Sequence, residues 1–201
     1  MRGKLITFEG IDGAGKSTIV SLLRSSGVME DVVFTREPTD SWLGRTVETA
    51  IHSDTDHLAE LFLFTADHAQ HISKVIRPAV NNGICVISDR YSDSTYAYQG
   101  MTLAGMFDDP VKWAQDLRKD WTIIPDLTIL LDIDPAIAVK RCGDRGEQTK
   151  FEKLEFLQGV RSNYLRLAEQ DPDRFIVVDS SGSAREVAEK ISLIISPLLQ
   201  K

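Results

Sequence analysis

The residues with the clearest chemical content are Gly10-Ile11-Asp12-Gly13-Ala14-Gly15-Lys16-Ser17, which satisfy the spacing G-x-x-x-x-G-K-[ST] at every fixed position. Glycines in that register let backbone N–H groups converge on phosphate oxygens, and the N-terminus of a following helix adds a favourable dipole. Lys16 is then placed to meet β- and γ-phosphates as a partly solvated loop cation. The Ser17 hydroxyl, with Thr18 beside it, is placed to reach a Mg²⁺ ion. A glycine-rich turn that spelled the pattern by accident would not need its flanks. Here an apolar run, Leu5 to Glu9, leads into the loop, and a helix-period segment, Lys16 to Arg24, leads out. The implied ligand is a nucleoside triphosphate.

The class of phosphate chemistry narrows quickly. No N-K-x-D tetrapeptide is present to read a guanine base, and 201 residues are too few for a motor or transporter ATPase. A small phosphotransferase with an acceptor site remains. Asp89-Arg90-Tyr91 closes the third apolar run, so its side chains should emerge at the carboxyl edge of a sheet, where α/β proteins bind ligands. Arg90 there can hold a phosphate through paired hydrogen bonds, or else form a salt bridge to Asp89. Arg36, ending the second run, is equally a strand-end charge or a phosphate ligand. Asp12 sits inside the loop where the motif demands nothing. Its charge among phosphates is repulsive unless a cation or hydroxyl donor offsets it. His68 and His71 invite comparison with a metal pair, but no third ligand lies near, and a hydrogen-bonded helix histidine is the plainer reading.

These groups need elements to position them. Five short apolar runs recur: Leu5 to Glu9, Val32 to Arg36, Ile84 to Asp89, Leu127 to Asp132 and Phe175 to Asp179. Near-continuous runs of this kind are strands covered on both faces, as in parallel sheets. Helix-period segments alternate with them: Lys16 to Arg24, Asp40 to Ile51, Asp56 to Val80, Asp109 to Trp121, Pro135 to Cys142, Glu152 to Glu169 and Ala184 to Leu199. The pattern predicts an α/β fold, a five-stranded parallel sheet flanked by helices on both faces. On the segment from Asp56 the stripe Leu58, Phe62, Ala69, Ile72, Ile76 and Val80 is expected to face the core, with Phe64 and His68 on its flank. One domain, 1–201, is expected, with a polar lid segment at about 141–153. The composition is ordinary for a globular chain, 42% apolar and 26% charged. A net charge of −7 disfavours a broad nucleic-acid face. No run is apolar enough to span a membrane, the N-terminus lacks the pattern of a signal peptide, and the two cysteines show no metal spacing. A cytoplasmic setting with reduced thiols is expected.

Taken together, Phe8-Glu9-Gly10-Ile11-Asp12-Gly13, Thr35-Arg36-Glu37-Pro38, Phe64 to His71, Asp89-Arg90-Tyr91 and Ser94-Thr95-Tyr96-Ala97-Tyr98-Gln99-Gly100 resemble the thymidylate kinase family, within the nucleoside monophosphate kinases. The resemblance runs from Lys4 to about Leu167. It implies ATP-dependent, Mg²⁺-assisted phosphorylation of dTMP to dTDP on a P-loop kinase fold, usually by a homodimer. By resemblance, Gly10 through Thr18 hold ATP and Lys16 and Asp12 serve catalysis. Ser17 and Asp89 hold Mg²⁺, partly through water. Arg90 and Arg36 meet the acceptor phosphate, while Phe64, Thr95, Tyr98 and Gln99 line the base and sugar pocket. Tyr98 also disfavours a 2′-hydroxyl. Two positions depart from the family: His68 stands where an arginine usually reaches the base, and Thr39-Asp40 where Gly-Gly often follows Pro38. The second change suggests a different turn and a helix N-cap at Thr39 or Asp40.

Ala14 leaves the loop without an arginine, which matches relatives whose lid supplies the cation. Arg145 is the first candidate for that catalytic group, with Lys150 and Arg141 behind it as ATP ligands. Competing readings are a deoxynucleoside kinase, with Glu9 or Asp12 as base, another nucleoside monophosphate kinase, or a non-catalytic nucleotide-binding regulator. The full set of acceptor motifs weighs against the regulator.

Overall fold

The computed structural model describes residues 2–26, 31–143, 151 and 153–199. Its strands are β1 (Leu5–Glu9), β2 (Val32–Arg36), β3 (Cys85–Asp89), β4 (Leu127–Asp132) and β5 (Phe175–Asp179), in one parallel sheet of order β2-β3-β1-β4-β5. All five residues of β1 are buried, so helices cover both faces of the sheet at its centre. The chain leaves β1 toward one side and later returns to place β4 on the other. That arrangement opens a crevice at the carboxyl end of β1. Register brings the strand ends level there, with Phe8 and Arg36 both beside Asp89.

The helices are α1 (Lys16–Ser25), α2 (Trp42–Ile51), α3 (His57–His71), α4 (Arg77–Asn81), α5 (Ser92–Thr102), α6 (Pro110–Arg118), α7 (Pro135–Gly143), α8 (Leu154–Gln170) and α9 (Ala184–Leu199). The main core joins Ile6 and Phe8 with Ile19 and Leu23 of α1 and Ile191 and Ile195 of α9. A second cluster packs Leu5 and Val86 against Ile72, Ile76 and Val80. Each such aliphatic side chain contributes roughly 1.5–3 kcal/mol through its burial.

Three expectations need correction. The segment 92–102 is a helix, which no apolar period announces. Eight of its eleven residues are buried, wedged against α6 and α8, so it has no polar face to create a contrast. The helix after Pro38 begins at Trp42 and its cap is Ser41, whose Oγ accepts from Gly44 N at 3.2 Å. Thr39 is instead tied to buried Asp67, its backbone N–H donating to Oδ2 at 2.8 Å. Finally, Phe62 and Ala69 are exposed, while Leu61, Asp67, His68 and His71 face inward. Polar partners inside, Glu37 and Thr39, turn α3 to that face. A π turn at Ile72–Ile76 then shifts the phase so that Ile72, Ile76 and Val80 are buried as expected.

Candidate active site

The phosphate loop takes its shape from glycines with positive φ. Gly13 (φ 84°) lies so close to α7 that a Cβ would sit 2.4 Å from the Ala138 carbonyl oxygen. Gly15 (φ 94°) turns the chain into α1. Lys16 is not solvated as expected: it is 6% exposed, and its Nζ donates to the Gly10 and Ile11 carbonyls at 2.9 Å each. The two loop carbonyls give the desolvated ammonium its hydrogen-bond acceptors. Burial, and then the Arg90 charge, lower its pKa to about 8 against the pull of Asp12 and Asp89. Ser17 Oγ donates to Asp89 Oδ2 at 2.6 Å.

Among the described residues, two adjoining cavities at this edge of the sheet hold most of the candidate residues. One, of about 210 Å³, is lined by Gly13, Gly15, Lys16, Ser17, Thr18, Arg36 and Asp89 among others. The other, of about 200 Å³, is lined by Phe64, Thr95, Tyr98, Gln99 and Phe151 among others. Asp12, Glu37, Pro38, Glu48 and Arg90 line both, so the two spaces meet across these residues.

Arg90 is the hub of the junction. Its backbone is left-handed (φ 69°), a conformation that costs a non-glycine residue about 1 kcal/mol. The Arg90 N–H donates to the Phe8 carbonyl at 2.9 Å. The guanidinium pairs with the Asp12 carboxylate and donates to Ser94 Oγ at 3.0 Å. Tyr98 Oη donates to Asp12 Oδ2 and accepts from the Asp12 N–H, both at 2.9 Å. Burial disfavours the Asp12 charge, but Arg90 and then Lys16 outweigh it and hold the pKa below the usual carboxylate value. The loop aspartate therefore has the cation and the hydroxyl donor its position requires. A salt bridge from Arg90 to Asp89, the alternative reading, is not what forms.

Behind this hub lies a buried carboxylate that the motifs did not single out as a scaffold. Glu9 Oε1 accepts from the Tyr91 N–H at 2.9 Å, and Oε2 accepts from Ser94 Oγ at 2.6 Å and Tyr164 Oη at 2.9 Å. Burial, and then Asp93, push its pKa up to about 8. The spacing of Arg90 and Ser94, four residues apart across the start of α5, was a legible signal. Nothing near Tyr164 in the chain pointed to Glu9.

At the far end of the cavity Phe64 comes from α3, and Thr95 and Gln99 from α5. Gln99 is fully buried, and neither its Oε1 nor its Nε2 has a protein partner. His68 does not join them. It is fully buried, with Nδ1 donating to Glu37 Oε1 at 2.8 Å and Nε2 meeting Thr122 Oγ1 at 3.2 Å, between the rings of Tyr91 and Trp121. The expected substrate contact is thus corrected: buried Glu37 needs N–H donors and takes both His68 and His71. Among the described residues no group of three or more His, Cys, Asp or Glu is placed to hold a metal. Arg36 lines the phosphate-side cavity while pairing with Asp40 at 2.6 Å. Arg141 donates to the carbonyls of Ser180 and Ser181, both at 3.2 Å, and reaches the Gly13 carbonyl at 3.5 Å. Arg145, Lys150 and residue Glu152 lie outside the described residues.

The chain matches the family model described as thymidylate kinase over residues 8–191. It is 58% identical over 200 residues to a probable thymidylate kinase of Methanococcoides burtonii, covering 100% of both chains. The chain belongs to the thymidylate kinase family. Another probable thymidylate kinase, from Methanosarcina barkeri, is 60% identical over 198 residues, 95% of this chain and 97% of that one. A third, from the more distant Natronomonas pharaonis, is 48% identical over 198 residues, 98% of this chain and 100% of the relative. The thymidylate kinase assignment makes the chain a phosphotransferase acting on dTMP, with ATP as the implied co-substrate, and the competing readings are not favoured. No helix among the described residues is long and apolar enough to cross a membrane.

Proposed function

We propose that dTMP occupies the cavity lined by Phe64, Thr95, Tyr98 and Gln99, with its phosphate at the junction held by Arg90, and that ATP lies along the loop 10–18. The observation that carries this reading is the Asp12–Arg90–Tyr98 cluster standing where the two cavities meet. The acceptor is already a phosphate oxygen, so no strong base is needed. Catalysis then rests on alignment and charge neutralisation. Arg90 and Arg36 orient the acceptor, and Lys16 leaves its loop carbonyls for the β- and γ-phosphates. Phe64 stacks on the base, the unpartnered Gln99 amide meets its polar edge, and the Tyr98 ring leaves little room for a 2′-hydroxyl.

Ser17 Oγ and Asp89 Oδ2 are hard oxygen donors already 2.6 Å apart beside the loop, a pair that suits Mg²⁺. Bound there, partly through water, the ion would neutralise charge on the phosphates. The remaining cations are assigned to the lid at about 141–153: Arg145 to the transferring phosphoryl, Lys150 and Arg141 to ATP. The whole chain is read as one domain acting in the cytoplasm. A homodimer is consistent with the exposed Trp42 of α2 and Phe62 of α3, two helices packed on each other.

A coupled assay with ATP and dTMP, dUMP, UMP, CMP or thymidine tests the reading. dTMP should give the highest kcat/KM, and thymidine, lacking the phosphate, should give none. Turnover of thymidine at a rate near that of dTMP would overturn the acceptor assignment. Sedimentation showing only a 22.4 kDa species at micromolar protein would remove the dimer.

A further inference from the structure

The wall between the two cavities is backed by a carboxylate and two imidazoles that the transfer chemistry leaves unused. Glu37 lines both spaces, yet its carboxylate points back toward α3 and is 8% exposed. His68 Nδ1 and His71 Nδ1 both reach Oε1 at 2.8 Å, and His68 Nδ1 also lies 3.1 Å from Oε2. A carboxylate only accepts, so both Nδ1 atoms carry protons. That fixes the tautomer of each neutral ring and leaves each Nε2 to a threonine: Thr122 Oγ1 at 3.2 Å for His68, Thr35 Oγ1 at 2.7 Å for His71. A hydroxyl donates or accepts equally well. Each ring can therefore be neutral or cationic without moving and without losing a partner. Two neutral rings leave the unit at −1, and one proton brings it to zero.

The charge balance of the phosphate-side cavity gives that proton a use. Its lining carries three cations, Lys16, Arg36 and Arg90, against four carboxylates, Asp12, Glu37, Glu48 and Asp89. Arg90 and Arg36 are already paired, with Asp12 and Asp40. A dianionic phosphate entering here meets an excess of negative charge. The groups that face the imidazoles are Glu37 and Thr35 at the end of β2, Arg118 from α6, the Tyr91 ring after β3, and Thr122 with the Trp121 ring after α6. Burial first, and Arg118 and His71 among the charges, hold His68 below its ordinary pKa against the pull of Glu37.

We propose that His68 and His71 are positioning residues that hold Glu37 in the wall shared by the two cavities, and that His68 takes up a proton when a dianionic acceptor enters. The inference rests on the acceptor assignment above. It adds a linked proton to acceptor binding. Between the pH at which the imidazole loses its proton in the free protein and the higher pH at which it does so with acceptor bound, each rise in pH opposes binding, by up to tenfold per pH unit for one linked proton.

Two measurements on the full chain test it. Calorimetric titration with dTMP in buffers of different ionisation enthalpy should show more proton uptake in wild type than in His68→Gln/His71→Gln. Ionisation of the dTMP phosphate contributes equally to both and cancels in the difference. KM for dTMP should rise roughly three- to tenfold from pH 6.5 to pH 8.5 in wild type. In His68→Arg, whose charge is fixed, the profile should be flatter, with kcat within a few-fold of wild type. If the double variant fails to fold, NMR titration of the imidazole C–H signals in wild type replaces it, and saturation with dTMP should raise at least one apparent pKa. Equal proton uptake and parallel KM profiles in wild type and variants, or imidazole titrations unmoved by dTMP, would overturn the proposal. Thymidine binding with the same proton uptake as dTMP would do so too. Absence of any dTMP turnover would instead remove the acceptor assignment itself.

Discussion

The two cavities that meet at Arg90 are built in different ways. The side where we place ATP is built mainly from one stretch of chain, a strand, a loop with left-handed glycines and the start of a helix within residues 5 to 18, with Arg36, Glu48 and Asp89 completing its lining. The side where we place the acceptor is assembled from Glu37 and Pro38 after β2, from α2, α3 and α5, and from Phe151, and its polar side chains are held by partners far along the chain, as Tyr98 is by Asp12, 86 residues away. Local geometry makes the first. Tertiary packing makes the second, so a single change should damage one by removing a contact to ATP and the other by releasing a network.

The largest effect should follow from Lys16→Ala. Turnover should fall by roughly 10³-fold or more through loss of charge on the transferring phosphoryl. Because Lys16 is buried and holds two loop carbonyls, the melting temperature should also drop by a few degrees, checked by calorimetry beside steady-state rates. Near-normal kcat would remove the loop assignment. Arg145→Ala comes next, with a fall in kcat of about 10²- to 10³-fold and little change in dTMP affinity; kcat within twofold of wild type would sink the lid assignment.

Arg90→Ala tests the junction. Its kcat/KM for dTMP should fall roughly 10²-fold, with ATP affinity changed far less, and Arg90→Lys should recover only part because an ammonium lacks the paired geometry. If ATP binding weakened more than dTMP binding, the two cavities would have been assigned the wrong way round. Tyr98→Phe should cost about tenfold in kcat/KM for dTMP, since it removes the hydroxyl that both donates to and accepts from Asp12.

The smallest expected effect is on stability. The Glu9 pKa is raised from 4.5 to about 8 in the folded protein. The unfolded chain therefore releases that proton first, and the stability linked to it is present at low pH and lost as pH rises through about 8. Glu9→Gln replaces the carboxyl with an amide that carries no charge at any of these pH values, so its melting temperature should fall less than that of wild type between pH 5 and 8.5, by a few degrees. Parallel curves would show that Glu9 is solvated and not part of the Arg90 scaffold.

The residue sequence alone determined the five strands, the parallel sheet and the loop from Gly10 to Ser17. These follow from apolar runs and from motifs whose spacing is local, where one residue constrains the next through covalent geometry. Other features were decided by the tertiary structure. The helix at 92–102 forms because it is packed on nearly every side, which erases the polar contrast that marks helices in a sequence. Lys16 is buried because its own loop supplies acceptors. His68 is drawn out of the acceptor cavity because Glu37, 31 residues earlier, is buried and must have its charge met by hydrogen-bond donors. A burial energy depends on every neighbour in space, and no spacing along the chain encodes that sum.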